Sequence, residues 1–365
     1  MLITLLIALL LPSTQTPATT ARWEKQTSGT TVRLRGISAV SASVAWASGN
    51  LGTYARTTDG GRTWRASTVP GAEALDFRDV DAFDASTAYL LAIGEGDKSR
   101  IYKTEDGGRT WVLQFRNDNP SAFFDAMAFW DRDHGIAMSD PVGGRFLVIT
   151  TSDGGRTWQP ISPAGIPPAL EGEGGFAASG TCITVQGKSN VWFGTGGPSG
   201  ARVFRSTDGG RTWAVAPAPL AAGRAAGVFS LVFWDARRGV AVGGDYTKEK
   251  DAEGSAATTD DGGRTWKAVV GAARPAGYRS CVARVPGAAE PTLVAVGPSG
   301  TDYSLDGGRT WTTLGADGFH AASFAAPDAR GWAVGENGLI ARYVGATPGT
   351  QRRARSRSNK SRKSP

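Results

Sequence analysis

Thr57-Thr58-Asp59-Gly60-Gly61-Arg62-Thr63-Trp64 returns at residues 104–111, 151–158, 206–213, 259–266 and 304–311, each time as Thr/Ser-x-Asp-Gly-Gly-Arg-Thr-Trp. The six aspartates, Asp59, Asp106, Asp153, Asp208, Asp261 and Asp306, stand 47, 47, 55, 53 and 45 residues apart. A motif recurring at that period marks a repeat architecture, in which each copy is one supersecondary unit. A strand-like run precedes each octad, as in Ala-Arg-Val-Phe-Arg at 201–205, and another follows it, as in Trp-Val-Leu-Gln-Phe at 111–115. The octad is therefore expected to be the turn of a hairpin. Its Asp accepts N–H groups inside the turn, its second Gly supplies a positive φ, its leading Thr or Ser adds a hydroxyl, and its Trp packs the outgoing strand.

Two further strand-like runs lie upstream of each octad. In the second unit they are Phe-Arg-Asp-Val-Asp-Ala-Phe at 77–83 and Thr-Ala-Tyr-Leu-Leu-Ala-Ile at 87–93; in the fifth they occupy 229–234 and 239–243. Four strands per unit make a propeller blade of the WD40-like kind. A seventh unit begins at His320, passes through 331–335 and ends at 339–344 with no octad after it. Residues 22–27, with Trp23 in the octad-Trp position, read as its missing fourth strand, so the sequence predicts an all-β, single seven-bladed β-propeller whose last blade is closed by the N-terminal strand. Closure hides the edges that an open sheet would expose. The 12 tryptophans agree with that register. Six are octad residues, Trp23 is their seventh equivalent, Trp46, Trp192 and Trp332 share a place on the second strand, and Trp130 and Trp234 share one at the end of the first.

Around the ring, the sequence divides into 1–21, 22–345 and 346–365. The apolar run of the first eleven residues, followed by small residues up to Ala21, has the pattern of a signal peptide and predicts an exported, periplasmic or extracellular protein. An uncleaved anchor is the alternative, although the run is short for a membrane span. Seven of the 40 basic residues fall after Thr350, and the remaining 33 equal the 33 acidic ones, so the net charge of +7 belongs to the tail and the ring is neutral. That tail, rich in Arg, Ser and Lys, reads as disordered. It suits an anionic membrane or cell-wall surface, or serves solubility alone, and with export expected a nucleic acid is not the anticipated partner. The 2 cysteines, Cys182 and Cys281, fall two blades apart on inner strands and read as buried small residues rather than a bridge. No cofactor is expected and no metal-ligand cluster, phosphate loop, dinucleotide fingerprint or nucleophile elbow is present.

The octads resemble the BNR or Asp-box repeat, and the arrangement of residues 22–345 resembles the photosystem II stability/assembly factor-like family. That resemblance implies an exported seven-bladed propeller that works without catalysis by binding a protein partner; the binding role carries over, and nothing in this sequence points to photosynthesis. Sialidases share the boxes but normally have six blades and an Arg-Ile-Pro segment that is absent here. Xyloglucanases set two propellers across a cleft, whereas this chain holds one.

The octad aspartates lie at the outer ends of the blades and are read as structural, their lone pairs committed to their own turns. Function is sought where the repeat breaks, near the mouth of the channel, where loops entering the inner strands converge. Entering the fourth blade, Glu171-Gly172-Glu173-Gly174-Gly175-Phe176 sets two carboxylates and a ring in a loop expected to reach that mouth. The fifth blade carries a charged extension, Asp245-Tyr246-Thr247-Lys248-Glu249-Lys250-Asp251, between its second and third strands. Comparable positions hold Asp76, Arg78, Asp125, Tyr278, Arg279 and His320, a set able to clamp an anionic or peptide ligand or to satisfy itself and ordered water. His134 reads as part of a surface turn.

No catalytic residue is assigned. The first expectation is a monomeric propeller binding a protein or peptide through Glu171, Glu173, Phe176, Asp245, Tyr246, Tyr278, Arg279 and His320. The alternatives are a glycoside hydrolase using Glu171 and Glu173, whose carboxyls would have to stand about 5.5 or about 6.5–9.5 Å apart, and a glycan-binding module. The latter would stack sugars on Tyr and Phe, because every Trp has a place in the repeat.

Overall fold

The computed structural model describes residues 21–345, apart from 288, 289 and 328. The expected tail over 346–365, and all but the last residue of the expected leader over 1–21, lie outside the described residues.

Seven four-stranded antiparallel sheets form the ring. The inner strands of blades one to seven are Leu34–Ala39, Asp76–Ala82, Phe124–Phe129, Ile183–Gln186, Ala226–Phe233, Cys281–Val285 and Ala321–Ala325. In six blades the chain runs outward from the inner strand through three more. In the seventh the order departs from sequence: Arg22–Gln26 pairs with Ile340–Val344, Trp23 opposite Tyr343, and supplies the outer strand. The expected seven-bladed ring, closed by the first strand, is what forms.

Each octad is the turn between the third and outer strands, and its bonds repeat from blade to blade. In the first, Asp59 Oδ1 accepts the Thr63 amide at 2.9 Å and Oδ2 accepts the Thr63 hydroxyl at 2.7 Å, while the Thr57 hydroxyl accepts the Gly61 amide at 2.9 Å. Both glycines are left-handed, at φ 76° and 80° for Gly60 and Gly61, which accounts for the doublet. The octad tryptophans then wedge between blades. Trp64 donates to Gln26 of the closing strand at 3.0 Å and meets Trp332 edge-on at 6.3 Å; Trp46, Trp192 and Trp332 are fully buried on the second strands. Cys182 and Cys281 are both buried and unbridged.

An inner strand pairs on one side only, so amides on its other edge face the channel and need acceptors. The neighbouring blade provides them. Ala39 N donates to Ser323 Oγ, Ala82 N to Ser38 Oγ, Met127 N to Asp79 Oδ2, Phe129 N to Asp81 Oδ2 and Val282 N to Ser230 Oγ, at 2.8 to 3.2 Å. Leu231 N uses the Thr181 carbonyl at 3.0 Å, and Ala322 N faces Cys281 Sγ at 3.4 Å. Short polar side chains on the inner strands thus stitch blade to blade.

The seventh blade's closure should carry much of the ring's stability. Trp23 packs on Phe319, Phe324 and Tyr343 with centroids 5.3, 6.1 and 5.3 Å away and donates to Thr301 of the sixth blade. Trp23→Ala is expected to lower the free energy of urea unfolding by about 3–5 kcal/mol, as for a buried Trp truncation; a loss under about 1 kcal/mol would mean the closing strand is dispensable.

Candidate functional site

The mouth of the channel is built by a repeated irregularity. The inner strands of blades one, two, three and five each slip register once, between Leu34 and Gly36, Phe77 and Asp79, Phe124 and Ala126, and Val228 and Ser230. The extra residues are Arg35, Arg78, Asp125 and Phe229. A bulge inserts one residue without a ladder partner and re-aims its side chain. Four blades use the same device at the same height, so the mouth is assembled from bulged residues.

The fourth blade enlarges the bulge into a loop. Gly174 pairs with Gly196, and Ile183 with Phe193. Nine residues step from Gly174 to Ile183 while their partners are three apart, so six residues leave the ladder. They cross the mouth. The Gly175 amide donates to Asp140 Oδ1 of the third blade at 2.7 Å, Arg78 of the second donates to the Ala177 carbonyl at 2.9 Å, and Arg35 of the first donates to the Ala178 carbonyl at 2.8 Å. On the far side the Ser179 hydroxyl reaches the Ser280 carbonyl of the sixth blade at 2.8 Å, and Thr181 meets Ser230 of the fifth at 2.7 Å. Ala177, Ala178 and Ser179 are buried. A main chain led through a protein interior needs donors for its carbonyls, and long guanidinium forks supply them here.

Phe176 is the loop's aromatic anchor. Its ring stacks on Phe229 with centroids 3.9 Å apart and 20° between planes. Gly196 and Gly227 make the slot, since a Cβ on either would stand 2.8 Å from the ring. Phe229 also meets Tyr278 edge-on at 4.8 Å and Tyr246 at 6.1 Å. Such ring pairs contribute roughly 0.5–1.5 kcal/mol each beyond burial.

Of the candidates named from sequence, Phe176, Tyr246 and Tyr278 come together in this aromatic cluster, Tyr246 half exposed and Tyr278 buried. Burial pushes the Tyr278 phenol well above its ordinary range. His320 Nε2 donates to Glu336 Oε1, 2.8 Å away, and Glu336 also pairs with Arg33. Burial, then the nearby Arg35 charge, lowers His320 to about 4, so the imidazole is neutral at neutral pH. Asp245 caps the start of its extension by accepting the Thr247 amide at 2.9 Å and hydroxyl at 2.6 Å. Glu171 is exposed beside the loop.

Two candidates stand elsewhere than expected. Glu173 is buried and ion-paired with Arg202; its Oε1 also accepts the Thr195 hydroxyl at 2.5 Å and its Oε2 the Leu170 amide at 2.8 Å. Both oxygens are committed, which anchors the loop's first end and leaves Glu173 no free oxygen to face a sugar or a cation. Arg279 is 1% exposed and pairs with Asp302 at 2.6 Å and the Tyr278 carbonyl at 2.8 Å, so it braces the sixth blade from within.

Sequence reasoning overlooked Arg35 and Asp140. Arg35 had a signal: Leu34-Arg35-Gly36 stands in its unit as Phe77-Arg78-Asp79 does in the next. Its Nε lies buried without an acceptor, and burial, then Arg78, lowers its pKa to about 10. Under the loop lies a group of carboxyls. Burial raises Asp79 and Asp125 well above the ordinary range, Asp125 also by proximity to Asp140; it raises Asp140 too and brings Asp81 to about 6. Asp125 Oδ2 is buried with no partner, close to Gly175. Among the described residues no three His, Cys, Asp or Glu side chains stand together in a way that could hold a metal ion.

The fold is similar to that of YCF48 bound to a D1 peptide, at 18% identity over 88% of this chain and 96% of that one, with a TM-score of 0.63. It is also similar to YCF48 from Cyanidioschyzon merolae, at 16% identity over 88% and 98% with a TM-score of 0.58, and to the WD40 propeller domain of Doa1, at 10% over 88% and 97% with a TM-score of 0.57. At these identities the likeness is one of fold. The sequence matches no family model and no curated protein.

The two sets of carboxyls predict an unusual pH profile. The Thr amide four residues on, then its hydroxyl, draw Asp59, Asp106 and Asp153 down to about 2. These groups are ionised in the fold, so their stabilisation is present above the unfolded value of about 4 and is lost as pH falls towards 2. Asp81, raised to about 6, keeps its proton in the fold at pH values where the unfolded chain has ionised near 4, so its contribution is present below about 4 and declines as pH rises from about 4 through 6; the other buried channel carboxyls are raised in the same direction. Melting temperature should therefore peak near pH 4, and Asp81→Asn should flatten the decline above it. A melting temperature constant from about pH 4 to 7 would contradict the assignment.

Proposed function

We propose that this chain is an exported, non-catalytic propeller that binds a protein or peptide segment at the mouth of its channel, in the manner of an assembly or stability factor. The observation that carries it is the chemistry of the mouth: Arg35 and Arg78 already address main-chain carbonyls, and beside them an aromatic cluster receives a ring. Guanidinium forks and a ring slot suit polypeptide, with donors for its backbone and a pocket for one side chain. Tyr246, half exposed beside Phe229, extends that surface outwards.

Three further considerations support it. One of the similar propellers is described as bound to a peptide. The six octads resemble the BNR or Asp-box repeat, and in the photosystem II assembly factor-like family, which the sequence resembles, such a ring binds a protein partner. The leader pattern of residues 1–21 supports export, and the basic tail suits attachment at an anionic surface. Glycoside hydrolysis is less well supported, because Glu173, half of the carboxylate pair it would use, has both oxygens engaged.

Panning a displayed random-peptide library on the intact ring should enrich peptides whose binding weakens at least tenfold in Arg35→Ala or Tyr246→Ser, measured by fluorescence anisotropy on variants with an unchanged circular dichroism spectrum. Failure to enrich any peptide, or enrichment of peptides indifferent to both changes, would remove the mouth as the binding site.

A further inference from the structure

We infer that the six-residue loop of the fourth blade is an internal ligand of the mouth, and that a partner segment binds by taking its place, with an aromatic side chain in the Phe176 slot and the next two carbonyls on Arg78 and Arg35. The inference rests on the mouth being a peptide site, and it goes further by assigning the partner's chemistry: an uncharged stretch in which one aromatic residue is followed by small ones.

Several features separate this loop from an ordinary connection. The ladder of the fourth blade is complete without it, since Gly174 and Ile183 both pair with the second strand and the chain between them is surplus to the blade. Its contacts are made with five other blades, through main-chain groups, one ring and the Ser179 hydroxyl, with the adjoining Thr181 hydroxyl on Ser230. Apart from Phe176, the surplus residues carry only small side chains, so what the mouth recognises is backbone, one ring and the single hydroxyl of Ser179. The slot for that ring is built into other elements, by the absence of side chains at Gly196 and Gly227 and by the bulged Phe229. Arg35 retains a buried Nε with no acceptor, a donor that the loop leaves unused and a partner's carbonyl or side chain can take.

The ends of the loop are suited to release. Left-handed Gly172, at φ 69°, precedes the crossing segment and left-handed Gly180, at φ 76°, ends it. Glu173, tied to Arg202, holds the first end in place, and Gly174 keeps its pairing with Gly196. A withdrawn loop would thus swing from fixed posts without disturbing the ladder. Its Phe176 ring is only partly buried, so the anchor can be reached from solvent.

The probe is the capped hexapeptide Gly-Phe-Ala-Ala-Ser-Gly, the sequence of residues 175–180, with both terminal charges removed so that the arginines see backbone alone. It is titrated calorimetrically into the intact chain and into a chain lacking those six residues, whose fourth blade would then have an uninterrupted inner ladder. The peptide should bind the shortened chain at least tenfold more tightly than the intact one, and Arg78→Ala in the shortened chain should abolish the gain. If the shortened chain fails to fold, Phe176→Ser at full length carries the same test, because it unlatches the loop and leaves the slot intact; it too should bind at least tenfold more tightly than the unaltered protein. Equal binding to intact and altered chains would overturn the internal ligand while leaving a peptide-binding mouth. Binding to none of them would overturn the internal ligand and remove the arginines' role in holding peptide backbone as well.

Discussion

The constraint on which the rest depends is the unpaired edge of each inner strand. Seven strands stand around a channel, each with amides that its own sheet cannot satisfy, and burying them unpaired would cost about 1–3 kcal/mol apiece. The solution is local and repeated: a short polar residue on one inner strand accepts from the next blade. Because that acceptor must sit at a set height, the inner strands hold a common register below the mouth. Above it they are free to bulge.

That freedom is where the molecule departs from its own repeat. A bulge of one residue gives Arg35, Arg78, Asp125 and Phe229; a bulge of six gives the crossing loop. The two belong together, since the arginines project to where the loop's carbonyls lie and Phe229 forms a face of its ring slot. The acidic residues beneath follow from the same demand. Asp79 and Asp81 serve as amide acceptors, and burial then favours their neutral forms.

The fold was legible in the sequence because its signals are local. Each octad writes a complete turn within eight residues, and the tryptophans report the same positions in successive blades. The closing strand could be read from Trp23 alone, since it stands where an octad Trp would. The candidate site was legible in outline, as the irregular stretch entering the fourth blade and as the residues Phe176, Tyr246 and Tyr278; that their rings meet on Phe229 was not. What escaped depends on pairing across a blade. Glu173 and Arg202 are 29 residues apart, Arg279 and Asp302 are 23 apart, and nothing in either segment alone announces the partner. The bulge at Arg35 escaped for a related reason: one residue slipped in a six-residue strand changes no period that sequence displays.

Hydrogen exchange at the amides of Gly174, Gly175 and Ala178, followed residue by residue by NMR beside that of Val191–Thr195 in the adjoining strand, tests most directly whether the mouth is occupied by a seated but releasable loop. All three amides are hydrogen-bonded in the structure, to the Gly196 carbonyl, to Asp140 and to the Phe176 carbonyl. Protection of Gly175 and Ala178 well above that of a free peptide, yet lost at least tenfold faster than in the strand while Gly174 stays protected, is the expected result. Random-coil exchange at Gly175 would show that the loop is never seated, and exchange as slow as the strand's would show that it leaves only when the ring unfolds; either would contradict a mouth closed by its own replaceable ligand.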